Sequence, residues 1–264
     1  MLTSLIAIAC LCTPQEPAEK PLPLKHPLSK SEQLKIQEAQ TTIIKQTSQR
    51  LAHDPTDLRA VSARADAFFF LGQFKQALKD YDRIVELDPS ADASHWRRGI
   101  AHFYVGDFKK ATKQFERYHS FDNVDRENGI WRYLCQRKSK GLKAARQGLL
   151  KYEKDDREPF PAVYKLFAGK MTPDQILKQI SAAKLTPPER EQRLFYAELY
   201  IGLNELVEGR KQSAAKHLGR AVATKWPRNS GFGPNYMWHV GRLQLDLLRR
   251  PARKKTPVKP KTGK

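Results

Sequence analysis

Asp54-Pro55 returns as Asp88-Pro89 and again, with Asn in place of Pro, as Asp122-Asn123, both steps being of equal length. A fixed interval of this size constrains the fold more than any other feature, because a chain made of like units has to stack them side by side. In the same frame Ala65 falls on Gly99, Gly72 on Gly106, Phe74 on Phe108, Ala77 on Ala111 and Tyr81 on Phe115. The apolar spacing predicts two antiparallel helices per unit. The first runs over about 58–71, the second follows a Gly72-Gln73 turn, and Pro89 stops it, since proline cannot continue a helix. Ala65, Gly99, Ala77 and Ala111 are small where helices approach closely, while Phe74, Tyr81, Phe108 and Phe115 are the large knobs of the same seam. A single hairpin cannot cover its own apolar stripe, so the expected fold is all-α, a solenoid of nested hairpins.

The unit 58–91 resembles the tetratricopeptide repeat (TPR): a small residue in the first helix, a Gly-x-Phe turn, an Ala-x-x-x-Tyr second helix and a terminal proline. Residues 92–125 read as a second repeat. A degenerate third follows, with Ile130 to Cys135 in its first helix and Gly141-Leu142 opening its second. The segment before Asp54, about 31–52, reads as the second helix of a preceding unit or as a cap helix, which completes an N-terminal array over 31–152. The C-terminal region, 153–248, shows helix starts at Thr172-Pro173 and Pro187-Pro188, a TPR-like hairpin over 194–223, a loop over 228–234 and a closing amphipathic helix. Asp155, Asp156 and Glu158 read as a solvated turn. With Phe160-Pro161, Gly169 to Thr172 and Leu194 to Ala197 as carriers, the layout is similar to bacterial tetratricopeptide lipoproteins of the NlpI type. That resemblance implies an anchored, often dimeric adaptor of the cell envelope, without fixing its partner.

Both ends of the chain carry information of a different kind. Residues 1–12 are a short apolar stretch, and 13–30 a linker with Pro14, Pro17, Pro21, Pro23 and Pro27. This order suits an export signal, and Cys10 after Ala7-Ile8-Ala9 resembles a lipidation site. The missing positive charge before Lys20 leaves open a frayed terminus of a cytoplasmic protein. Residues 249–264 hold eight Lys and Arg and no acid, within a chain of net charge +20. Like charge and proline make this stretch a disordered basic tail in which Arg253, Lys254, Lys255, Lys259 and Lys261 would attract a polyanion, nucleic acid or an anionic surface.

No metal-ligand spacing, phosphate loop or nucleophile elbow occurs among the seven histidines, three cysteines and fourteen glycines, so neither a cofactor nor a catalytic residue is expected. The reading is therefore an interaction scaffold. In a stack of this kind the first helices line a concave groove. Arg59, Ser62, Asp66 and Phe69 would line it from the first unit, and Trp96, Arg97, Ile100 and Phe103 from the second. Aromatic area with bidentate arginine suits an extended peptide or partner helix. A second copy of the chain is a further expected partner, through an apolar flank at the end hairpins.

Overall fold

A computed structural model describes residues 26–250. Cys10, the 1–12 segment, most of the 13–30 linker and all but the first two residues of the 249–264 tail lie outside them. The described residues form helices only, and no helix among them is long and apolar enough to cross a membrane.

The array begins with α1 (Lys30–His53), closed at its start by a reciprocal box in which Ser29 and Glu32 cap one another's backbone. Next come the first repeat, α2 (Leu58–Phe70) and α3 (Phe74–Leu87), and the second, α4 (Trp96–Tyr104) and α5 (Phe108–Phe121). The helices α3 and α5 start and stop one full repeat interval apart, Phe74 matching Phe108 and Leu87 matching Phe121. Each hairpin turns on a left-handed glycine, Gly72 at φ 72° and Gly106 at φ 85°, a conformation that side chains resist. The small positions act as expected. Ala65, Ala77 and Ala111 are fully buried, and a Cβ on Gly99 would stand 2.7 Å from the Phe115 ring. The second unit departs from the register in one place. Its first helix starts at Trp96 rather than 92, because a 3-10 turn, Pro89–Ala91, and the His95 cap take up the first turn.

A second periodic set ties the units together. Arg64, Arg98 and Arg132 recur at the repeat interval, and each bridges the second helix before it and the one after it. Arg64 donates to Ser48 (3.4 Å) and Asp80 (2.7 Å), Arg98 to Asp82 (2.6 Å) and Gln114 (2.9 Å), and Arg132 to Glu116 (2.9 Å) and the Gly148 carbonyl. All six partners lie 16 residues away, the separation that faces across one hairpin. A planar guanidinium with five donors is suited to holding two helices at once.

The third unit is α6 (Arg126–Lys140) with a six-residue second helix, α7 (Leu142–Gln147). Then follow α8 (Phe160–Phe167), α9 (Pro173–Ala182), α10 (Pro187–Val207), α11 (Lys211–Ala223), α12 (Trp226–Asn229) and α13 (Phe232–Arg249). The start at Pro187 and the 194–207 segment are one helix of 21 residues, since no breaker separates them. The α10–α11 hairpin repeats the crossing of the early units. A Cβ on Gly202 would lie 2.7 Å from Leu218, a pair with the same spacing along the chain as Gly99 and Phe115. The stretch read as a loop over 228–234 is partly helical, because Pro234 sits in the first turn of α13, where its missing N–H costs nothing.

The closing helix decides the architecture. It packs on α11 and crosses to α2, over the inner face of the first repeat. Tyr236 stacks on Phe69 (4.9 Å between ring centres) and meets Trp96 edge-on (4.8 Å), His239 stacks on Phe70 (3.9 Å), and Arg242 donates to the Phe70 carbonyl. One core runs from Leu28 to Leu245 without a break. The helix pairing makes the chain an all-α, TPR-like solenoid whose C-terminal helix folds back into its own groove.

Candidate functional site

The eight residues expected to line the groove are separated by that closure. Arg59 is exposed, and Ser62 is half-buried. Phe69 and Ile100 are fully buried and Phe103 nearly so, and these three present no surface to a ligand because α13 and the neighbouring helices cover them. Asp66 and Arg97 form a largely buried ion pair between α2 and α4. Arg97 Nη1 lies 2.8 and 2.7 Å from the two carboxylate oxygens and 3.1 Å from Ser62 Oγ. Tyr81 donates to Asp66 at 2.6 Å, and its hydroxyl lies 3.2 Å from that of Tyr236. The Arg97 guanidinium stands over the rings of Tyr81 and Phe232. Burial pushes the Asp66 carboxyl up, against the pull of Arg97 and of the Tyr81 hydroxyl. The pair thus has a structural task beside any contact with a ligand.

Trp96 alone of the eight lines a cavity of about 400 Å³ between the repeats and the α10–α13 block. That volume is within the roughly 300–1,000 Å³ range of small-ligand pockets. Its walls hold Trp131 from α6, Tyr196 from α10 and Trp226 from α12, with Phe115 and Tyr118 from α5 beneath and Gly233 and Met237 from α13 opposite. Three of the chain's four tryptophans therefore face one space.

The polar side of the cavity is built at the start of α6. Asp125 is the N-cap, accepting from the Glu127 backbone N–H at 2.9 Å. Glu127 accepts from Tyr200 and from Arg157, two residues the fold brings from 73 and 30 positions away. Arg157 also donates to Asp156 (3.2 Å) and lies over the Phe160 ring at 4.4 Å, while its distance to Asp125 is 3.9 Å. The guanidinium is thus committed elsewhere and compensates Asp125 poorly. Burial, then the neighbouring Glu127, push the Asp125 carboxyl up to about 7 against the pull of Arg157. Beside it Asn128 is 3% exposed, its amide sealed next to the Tyr152 hydroxyl with neither amide atom in good hydrogen-bond geometry. An unpaired buried amide costs about 1–3 kcal/mol.

Of the three acids read as a solvated turn, Asp155 and Glu158 are exposed as expected, and Asp156 is not. Asp156 has a side chain only 6% exposed, and it accepts from the backbone N–H of Arg126 (2.9 Å) and Arg157 (2.6 Å), so it positions Arg157. Sequence reasoning missed Asp125, Glu127, Asn128 and Arg157. They fall in the degenerate third unit and the loop after it, and nothing in their local spacing joins them.

His95 is the N-cap of α4, accepting from the Arg98 backbone N–H, and His102 lies two turns further along the helix. Burial, then the neighbouring Arg97 and Arg98, lower His95 to about 3, and its ring packs edge-on to Tyr81. No group of three metal-ligating side chains occurs among the described residues. Cys135 is fully buried, and its thiol is pushed up by that burial.

No family model matches the chain. The fold is similar to that of a tetratricopeptide repeat protein from Parabacteroides merdae, at TM-score 0.47 and 15% identity over 84% of this chain and 80% of that one. It is also similar to the MamA RS-1 ArsTM double mutant, at TM-score 0.36 and 13% identity over 74% of this chain and 98% of that one.

The acid at the cavity sets a stability test. The folded chain holds the Asp125 proton more tightly than the unfolded chain, whose carboxyl titrates near 3.8. The cost of its charge is therefore fully present above pH 7 and is relieved as pH falls through 7 toward 4. Asp125→Asn keeps a good N-cap. The variant is expected to melt above the parent at pH 8, with the gap narrowing at pH 5. A gap that is constant with pH, or absent, shows that Asp125 is adequately paired.

Proposed function

We propose that the protein is a non-enzymatic interaction scaffold that receives an extended peptide or partner segment at the mouth of the aromatic cavity. The cavity itself carries this reading. It is a tryptophan-walled space with one under-compensated acid and a buried amide, held on rigid helices, a combination that serves recognition and has little use in packing alone. The nested hairpins point the same way, since stacked helices present side chains from several units to one ligand. Of the eight groove positions, Trp96 belongs to this cavity, and Arg59 and Ser62 retain exposed surface. The alternative route, along the groove of the first repeat, requires α13 to move aside.

A photo-crosslinking side chain discriminates the two routes. Placed at Gln192 on the cavity wall, it is expected to give an adduct with a second protein in native extract. At Arg59 it should react less, and at Glu86, on the outer face of α3, not at all. Adducts at Arg59 alone move the site to the groove, and equal labelling at all three positions removes it.

The location in a bacterial envelope rests on the resemblance to NlpI-type lipoproteins and on the apolar 1–12 segment with Cys10; an intact mass that still includes Met1 and Leu2 rejects it. A second reading is favoured by the net charge of +20. In that reading the 249–264 tail holds a polyanion, and DNA affinity falls steeply with salt and disappears when the tail is removed.

A further inference from the structure

The cavity is acidic within a strongly basic chain. Its lining holds the carboxylates of Asp125 and Glu127 against the single guanidinium of Arg157. Glu127 is satisfied by Tyr200 and Arg157, whereas Asp125 has the Glu127 backbone N–H, the Tyr118 hydroxyl and Arg157 only at 3.9 Å, which makes it the carboxylate without a close positive partner. Around it stand Trp96, Trp131, Trp226, Tyr118 and Tyr196, whose ring faces are negative and attract cations, tryptophan most strongly. An anion is disfavoured, because the one arginine present is already shared between Glu127 and Asp156.

Asn128 refines the choice of ligand. Its side-chain amide carries a donor and an acceptor side by side, neither in hydrogen-bond geometry; both are sealed beside the Tyr152 hydroxyl, so a ligand reaches them once the Asn128 side chain turns toward the cavity. A backbone peptide group presents the complementary pair. A simple ammonium ion has no acceptor to offer and would leave the Asn128 donors unpaired.

We propose that the cavity binds a lysine or arginine side chain of an extended partner peptide, with Asp125 as the counter-ion, the tryptophan rings around the alkyl stem and head group, and Asn128 on the adjoining peptide bond. This deepens the peptide-scaffold reading above and rests on it.

The test is a titration of the full chain followed by tryptophan fluorescence, at pH 8 and low salt. The probes are acetyl-Gly-Arg-Gly-amide, acetyl-Gly-Lys-Gly-amide, the same tripeptide with norleucine in place of lysine, and tetramethylammonium. The two basic tripeptides should bind at least ten-fold more tightly than the norleucine one. Asp125→Asn should remove that preference while keeping its helix cap, and Asn128→Leu should weaken the tripeptides without weakening tetramethylammonium. A norleucine peptide that binds as well as the lysine one overturns the counter-ion role. Tetramethylammonium that matches the tripeptides overturns the peptide role. A preference that survives Asp125→Asn, or no fluorescence response to any probe at millimolar concentration, overturns the site. A synthetic peptide of residues 250–264, titrated into a chain ending at 249, adds one more arm. If only that peptide binds, the occupant is the chain's own tail and the partner assignment is wrong. Adducts at Gln192 together with an indifferent titration would leave the scaffold standing and reject only the basic ligand.

Discussion

A chain ended at Gly231 is expected to lose its cooperative melt and to aggregate, although every residue of the TPR-like repeats remains. The helix it lacks, α13, buries Tyr236, Met237, Trp238, Val240, Leu243 and Leu245 to 4% exposure or less. At about 1.5–3 kcal/mol for each large apolar side chain, the loss is of order 10 kcal/mol, comparable to the whole stability of an ordinary domain. It also uncovers Phe69, Phe70 and Trp96, leaving an aromatic patch on the inner face of the first repeat. A chain ended at Arg250 keeps α13 and should melt within about a degree of the full chain, since a shift of that size is well under 1 kcal/mol. Circular dichroism melts of the two truncations make the comparison. A soluble 1–231 chain with a melt close to that of the parent means that the groove is free and that α13 is an accessory.

Arg97→Met is expected to cost about 3–5 kcal/mol, the usual penalty for stranding one partner of a buried ion pair. Asp66 would keep its bond from Tyr81 at 2.6 Å but lose both contacts to the guanidinium. The double variant Asp66→Asn, Arg97→Met should recover most of the loss, because the charge and its counter-charge leave together and Asn still accepts from Tyr81. Urea unfolding at pH 7.5 measures both. The single-variant penalty should shrink on acidification, since burial already holds the Asp66 carboxyl above its ordinary range and a proton removes the stranded charge. A penalty under about 1 kcal/mol shows that the pair is solvated, and Arg97 then becomes free to meet a ligand.

These two expectations mark where local spacing stops being informative. Ala65, Gly99, Ala77, Ala111, Tyr81 and Phe115 lie where the repeat frame puts them, because each acts on a near neighbour across one hairpin. The arginine series at 64, 98 and 132 was equally legible in that frame, and only its polar character kept it out of an apolar pattern. The start of α4 at Trp96 was not legible, since the 3-10 turn at Pro89–Ala91 still allows the second helices to keep their register.

The groove residues show the same division more sharply. The positions Phe69 and Arg97 follow from helix spacing. That Phe69 lies under Tyr236 depends on the last helix of the chain, and that Arg97 turns inward to Asp66 depends on a neighbouring unit. The cavity is assembled in the same way, with Glu127 meeting Tyr200 from 73 residues away. No short-range pattern joins such residues, because their meeting depends on how small rotations add up along the stack.

The sequence by itself determined the repeating hairpin, its glycine turns and the small-to-large seam, since each arises between neighbours that helical geometry places at fixed separations. The tertiary structure alone decided that the last helix fills the first groove and that an acid, an amide and three tryptophans enclose one space, because those contacts are set by the accumulated curvature of the whole array.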